Sequence, residues 1–188
     1  KAESLERKNA DLKVQLINLE RENSSMRKLL GAPLSPSWKF IPAQVLSVKN
    51  GIMTINQGAG AGIEENQTVV FENVLIGRII KVNPYLSKIK LPFAKNINIK
   101  VKVIESNGRG IIRSKAGEVL ILDKILPEVR LAKGQIVITS AEDEIYPSDL
   151  LIGKISEVEK DETATYQKAI IKPLVDYQNL TEVFIIKR

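Results

Sequence analysis

INIKVKVIESNGRGIIRS, residues 97–114, is the stretch whose reading decides the fold. Ile97, Ile99, Val101 and Val103 alternate with Asn98, Lys100 and Lys102, the period of two expected of a strand with one buried face. Asn107-Gly108 joins residues 97–106 to residues 109–114. Asn-Gly suits the two successive positive φ angles of a type I′ turn, so a hairpin is expected there. Asn50-Gly51 joins residues 43–49 to 52–57 in the same way.

Outward from these hairpins, β-branched runs recur at 67–71, 74–82, 86–91, 118–123, 135–139, 151–158, 166–172 and 182–187. The expected strands number about twelve. Closing such short strands into barrels removes exposed edges. The expected fold is therefore mainly β: an N-terminal coiled-coil helix followed by two small β-barrel domains. Residues 43–92 plus 160–188 would form the first barrel, and 93–159 the second. Gly58, Gly62, Gly77, Gly134 and Gly153, with the two Asn-Gly pairs, mark the structural turns.

Residues 1–30 follow a different rule. Leu5, Leu12, Leu19 and Met26 occupy one seam position and Asn9, Leu16, Asn23 and Leu30 the other, at spacings alternating between four and three. A stripe this narrow must meet an equally narrow partner, most simply a second copy of the chain. Asn9 and Asn23 weaken an apolar seam but pair with their symmetry mates in a parallel, in-register dimer. Across that seam Glu22 would face Arg27 and Lys1 would face Glu6, both attractive, whereas Lys8 against Lys13 repels. Four heptads measure about 45 Å. A single helix folded back on the β body is the alternative.

Gly31 and Pro33 stop the helix, and residues 31–42, with Pro33, Pro36 and Pro42, read as a stiff linker docked by Trp38 and Phe40. The sequence opens on Lys1 already in heptad register, which implies chain upstream of it. No run approaches the ~20 apolar residues that span a bilayer.

Chemistry is limited by two absences. The 188 residues contain no Cys and no His, which excludes disulfides, thiolate sites and every Ser-His or Cys-His nucleophile. The net charge of +6 is scattered, with no dense Lys/Arg run and no interleaved aromatic residues, so nucleic acid is not an expected partner. No cofactor or metal site is expected. Gly58–Gly62 lacks the spacing of a phosphate loop and reads as a tight turn. Glu142, Asp143 and Glu144 read as a solvated loop, and Lys88, Lys90, Lys100 and Lys102 as solvated strand faces, with one merged basic sheet face for an anionic partner as the alternative. Ser140 sits at a strand-to-loop corner, where only an unusual Ser-Lys pair would activate it.

Several blocks occur in a telling order. Glu22-Asn23 through Arg27, Leu29, Leu30 and Gly31 comes first, then Ile55-Asn56-Gln57-Gly58, Gly62-Ile63 and Val69-Val70. Leu75-Ile76-Gly77-Arg78-Ile79 and Arg109-Gly110-Ile111-Ile112 follow. Next stand Lys133-Gly134-Gln135-Ile136-Val137-Ile138-Thr139-Ser140, Tyr146-Pro147 and Leu151-Ile152-Gly153-Lys154-Ile155. Pro173-Leu174-Val175-Asp176 and Val183-Phe184-Ile185-Ile186 complete the series. This order resembles the MreC family of bacterial cell-shape proteins, with departures at Ala141, where the family usually has Gly, and at Lys90-Leu91-Pro92-Phe93.

The resemblance implies an anchor in the cytoplasmic membrane through an N-terminal segment, with coiled coil and barrels on the extracytoplasmic, periplasmic side. It implies a homodimeric scaffold of the elongation machinery that organises peptidoglycan synthesis and rod shape. Implied partners are MreD, RodA and a class B penicillin-binding protein. Barrels similar to those of chymotrypsin-like proteases, without a triad, imply that the chain is not an enzyme. A periplasmic adaptor of an export system and an atypical serine hydrolase using Ser140 stand as alternatives.

Overall fold

β-branched and alternating runs become strands here because their buried partners lie far away in sequence, not one helical turn away. The structure is a computed structural model that describes residues 8–9, 11–16, 18–19, 38–115, 119–159 and 164–187. Among these residues, twelve strands follow in order. They are β1 (Lys39–Lys49), β2 (Ile52–Ile55), β3 (Thr68–Phe71), β4 (Val74–Val82), β5 (Ser87–Lys90) and β6 (Ile99–Val103). Then come β7 (Arg109–Lys115), β8 (Val119–Ile125), β9 (Ile136–Thr139), β10 (Leu151–Glu159), β11 (Gln167–Pro173) and β12 (Glu182–Lys187).

Strands β6, β7, β8, β11, β10 and β9 pair in that order, and β9 returns to β6, closing a six-stranded barrel. The strands β4, β3, β12, β1, β2 and β5 also return on themselves through the β4–β5 pairing. The two circuits meet at one parallel bridge, Leu151 opposite Val74, where the Leu151 N–H donates to the Asn73 carbonyl at 2.9 Å.

Three expectations need correction. Strand β11 does not join residues 43–92 but pairs with β10 and β8, because Ala169 and Ile171 are buried beside Leu122 and Leu120. Among the described residues of 160–188, β12 alone pairs with β1, from Lys39 opposite Lys187 to Gln44 opposite Glu182. The expected linker also ends early, since residues 39–42 already lie in β1 and Phe40 is buried.

The third correction concerns the two Asn-Gly turns. Asn50 at φ +52° and Gly51 at φ +76° connect Lys49 to its partner Ile52, as a two-residue I′ turn requires. In the other hairpin only Asn107, at φ +54°, is left-handed, and Gly108 is not. Lys102 faces Arg109, so the connection is wider. Beyond β6 the chain stays attached to β9: Ile104 donates to the Ile136 carbonyl at 2.9 Å, and the Glu105 carboxylate accepts the Ile136 N–H at 2.9 Å.

Burial follows the alternation. Ile97, Ile99, Val101 and Val103 are buried, while Asn98 and Lys100 are exposed and Lys102 is half-buried. Met53, Ile55, Ile79 and Ile89 are fully buried in one circuit, and Ile112, Leu120 and Leu122 in the other. Lys124 at φ +60° forms a bulge opposite β11, which returns Ile125 to the interior.

Candidate interaction surfaces

Residues 8–9, 11–16 and 18–19 are α-helical, and all of them are exposed. Leu12, Leu16 and Leu19 keep 58%, 58% and 64% of their surface open to solvent, which is the wrong side of the solvent boundary for a leucine row at seam spacing. Asn9 lies on the same helical segment and is exposed. Leu5, Asn23, Met26 and Leu30 lie outside the described residues. Sequence reasoning missed a second exposed apolar point: Tyr85, 83% exposed, with Leu86 at the β4–β5 turn. The signal was present, because an aromatic residue after Asn83-Pro84 has no strand partner to cover it.

The corner after β9 is built for shape. Thr139 Oγ1 donates to the Pro147 carbonyl at 2.6 Å and accepts the Leu150 N–H at 2.9 Å. Ser140 Oγ accepts the Glu142 N–H at 3.2 Å, a local turn of the kind short hydroxyl side chains form. The Lys100 ammonium donates to the Glu142 carbonyl at 3.1 Å. That lysine serves the loop backbone and is not directed at the Ser140 hydroxyl.

The acidic cluster is not simply solvated, as the sequence suggested. Asp143 Oδ1 accepts the N–H groups of Ile145 and Tyr146 at 2.8 and 2.9 Å, and its Oδ2 accepts the Lys100 N–H at 2.8 Å. Glu142 pairs with Arg109. Among the described residues no group of three Asp or Glu side chains is placed to hold a metal ion. Tyr146, within this loop, is buried, and burial pushes its hydroxyl up to about 12.

Gly58 and Gly62 frame a short 3-10 turn, Ala59–Ala61, which ends on Gly62 at φ +78°. Its amides are committed: Ala59 donates to the Asn83 carbonyl at 3.0 Å and Gly60 to Pro84 at 3.2 Å. The alternative of one merged basic face through Lys88, Lys90, Lys100 and Lys102 does not form. β5 and β6 are not neighbours in either circuit, so Lys90 faces the junction while Lys100 binds the 140–149 loop.

The junction itself is tightly packed. Tyr177 is buried, donates its hydroxyl to the Leu75 carbonyl at 3.3 Å, and meets Phe93 edge to face at 5.2 Å between centroids. Burial holds its hydroxyl well above the usual tyrosine range.

The family described as "Rod shape-determining protein MreC, barrel core" matches residues 43–187. The chain belongs to the MreC family. The cell shape-determining protein MreC of Listeria monocytogenes is 27% identical over 189 residues, covering 95% of this chain and 64% of that protein. The MreC of Haemophilus influenzae is 31% identical over 186 residues, covering 95% of this chain and 52% of its own length. The chain therefore spans less than two thirds of either curated MreC. Among solved structures, an MreC of Listeria monocytogenes superposes with a TM-score of 0.73 at 26% identity, covering 97% of this chain and 91% of that one. A complex between Penicillin-Binding Protein (PBP2) and MreC from Helicobacter pylori gives 0.63 at 22% identity, covering 80% and 98%. That last likeness is one of fold.

Among the described residues no helix is long and apolar enough to cross a membrane.

Proposed function

We propose that this chain is part of a cell-shape-determining scaffold that works by binding and not by catalysis. Two copies join through the helix in a parallel dimer, and the paired β bodies hold cell-wall synthesis enzymes in a fixed geometry. A membrane anchor upstream of Lys1 would place them on the extracytoplasmic side of the cytoplasmic membrane. We read the two strand circuits as two small barrels, one of β1–β5 with β12 and one of β6–β11.

The observation that carries this reading is the row Leu12, Leu16 and Leu19, exposed at heptad spacing. Apolar surface of that shape is stabilised by pairing, and an identical row on a second copy is its most complementary neighbour. A class B penicillin-binding protein is the first enzyme to expect as partner, supported by the Helicobacter pylori complex; MreD and RodA extend the same reading. Under this reading Ser140 is a turn former and not a nucleophile.

The test compares the wild-type fragment with Leu12→Asp/Leu19→Asp in sedimentation and in capture from a bacterial membrane extract. The expected result is a dimer that retains a penicillin-binding protein, and a monomeric variant that retains at least about tenfold less through lost avidity. A wild-type fragment that stays monomeric at high concentration and captures no cell-wall enzyme overturns the proposal.

A further inference from the structure

A cleft of about 800 Å³ opens where the β1–β2 turn, the 91–98 connection and the end of β7 come together. Lys90, Lys95 and Lys115 line it from three separate segments, with Asn96 and Ser114 between them and Phe93 beneath. Among the described residues no carboxylate lines it. The two salt bridges among the described residues are Arg109–Glu142 and Arg113–Asp123, so neither neutralises these lysines. Three lysines lining one concavity favour an anion over a cation there.

The walls of the cleft are preformed. A side chain on Gly51 would stand 2.6 Å from the Ala94 Cα, so the β1–β2 turn is pressed directly on the connecting segment. Lys90 Nζ donates to the Asn96 carbonyl at 3.3 Å, which holds its charge at the cleft. A rigid wall lowers the ordering cost of binding.

A separate observation points the same way. Lys90 and Asn96 also line an adjoining cavity of about 230 Å³, whose wall includes Arg78. Arg78 Nη1 donates to Asn66 Oδ1 at 3.2 Å, but its Nε is buried with no hydrogen-bond partner. A buried guanidinium N–H without an acceptor is costly, and an oxyanion or a water held by one would satisfy it.

We propose that this cleft binds a phosphate-bearing small molecule. Its volume lies in the range of organic ligand sites, about 300–1,000 Å³, and exceeds what a bare ion needs. Lysines on three segments suit a multiply charged anion better than a single carboxylate, and ammonium groups bind phosphate as point charges. A phosphate free in solution and one carried by a lipid headgroup share this chemistry, and the test separates the two sources.

Pyrophosphate titrated into the fragment and followed by calorimetry is the first arm, and sedimentation with phosphatidylglycerol against phosphatidylcholine vesicles is the second. The cleft variant is Lys95→Glu/Lys115→Glu, both exposed positions. Lys154→Glu/Lys168→Glu, exposed on β10 and β11, makes the same change in net charge elsewhere. Binding of pyrophosphate that the cleft variant weakens by at least about tenfold, and the control variant by less than about threefold, supports the site. Vesicle binding lost with the same variant assigns a lipid source; pyrophosphate binding with no vesicle binding assigns a soluble one. No pyrophosphate binding by a wild-type fragment with native circular dichroism, or equal weakening by both variants, overturns the proposal.

Discussion

In one strand circuit Asn66 donates its N–H to the Ile79 carbonyl and Ile79 donates back to Gln67, both at 2.9 Å; in the other, Gly134 and Gln135 make the same exchange with Ile155, at 2.8 and 2.9 Å. The likeness extends further. Gln67 Oε1 accepts the Glu64 N–H at 3.1 Å, and Gln135 Oε1 accepts the Ala132 N–H at 3.0 Å. Asn66 at φ +70° stands where Gly134 stands at φ +93°. Gly77 and Gly153 lie inside β4 and β10 and not at the turns expected of them: a Cβ on Gly77 would approach the Lys90 carbonyl to 2.2 Å, and one on Gly153 would approach the Lys172 carbonyl to 2.5 Å.

The regions differ at the next turn. Phe71 and Val74 are joined through Glu72 and Asn73, whereas residues 140–149 lie between Thr139 and Leu150. The shared skeleton therefore fixes strand closure, and the longer loop is an addition that Asp143 must hold in place. The lesson is that closure and decoration are separable here, with different residues answering for each.

The hardest test of the shared skeleton is Gly77→Ala beside Gly153→Ala. Each forces a methyl against a carbonyl of the neighbouring strand, so each is expected to destabilise by on the order of 3 kcal/mol in urea unfolding. If only one of them does so, the two glycines are not equivalent.

Asp143→Ala addresses the loop alone. It removes the acceptor of three backbone N–H groups and should cost about 2 kcal/mol, with fast hydrogen exchange confined to residues 140–149 and their contacts. Loss of protection spreading equally into β3 and β4 would break the distinction between closure and decoration.

Gly134→Asn is the mildest. Asn already occupies the matching position at positive φ, and no atom lies within 4 Å of a Cβ built on Gly134, so the change should stay within about 0.5 kcal/mol. A loss several times larger would mean that position 134 is not the counterpart of Asn66.

The sequence by itself determined the local choices: alternation in Ile99–Val103 could bury one face only as a strand, Asn50-Gly51 could reverse the chain in two residues, and missing His and Cys removed whole classes of chemistry. Those choices depend on neighbours a few residues away, so they are legible without coordinates. Tertiary structure alone decided which strand closes which circuit, why Gly108 abandons the I′ geometry, and how Lys90, Lys95 and Lys115 come to share one cleft. Each of these rests on contacts between segments distant in sequence, where alternation is identical for every candidate partner and only packing and backbone hydrogen bonds select one.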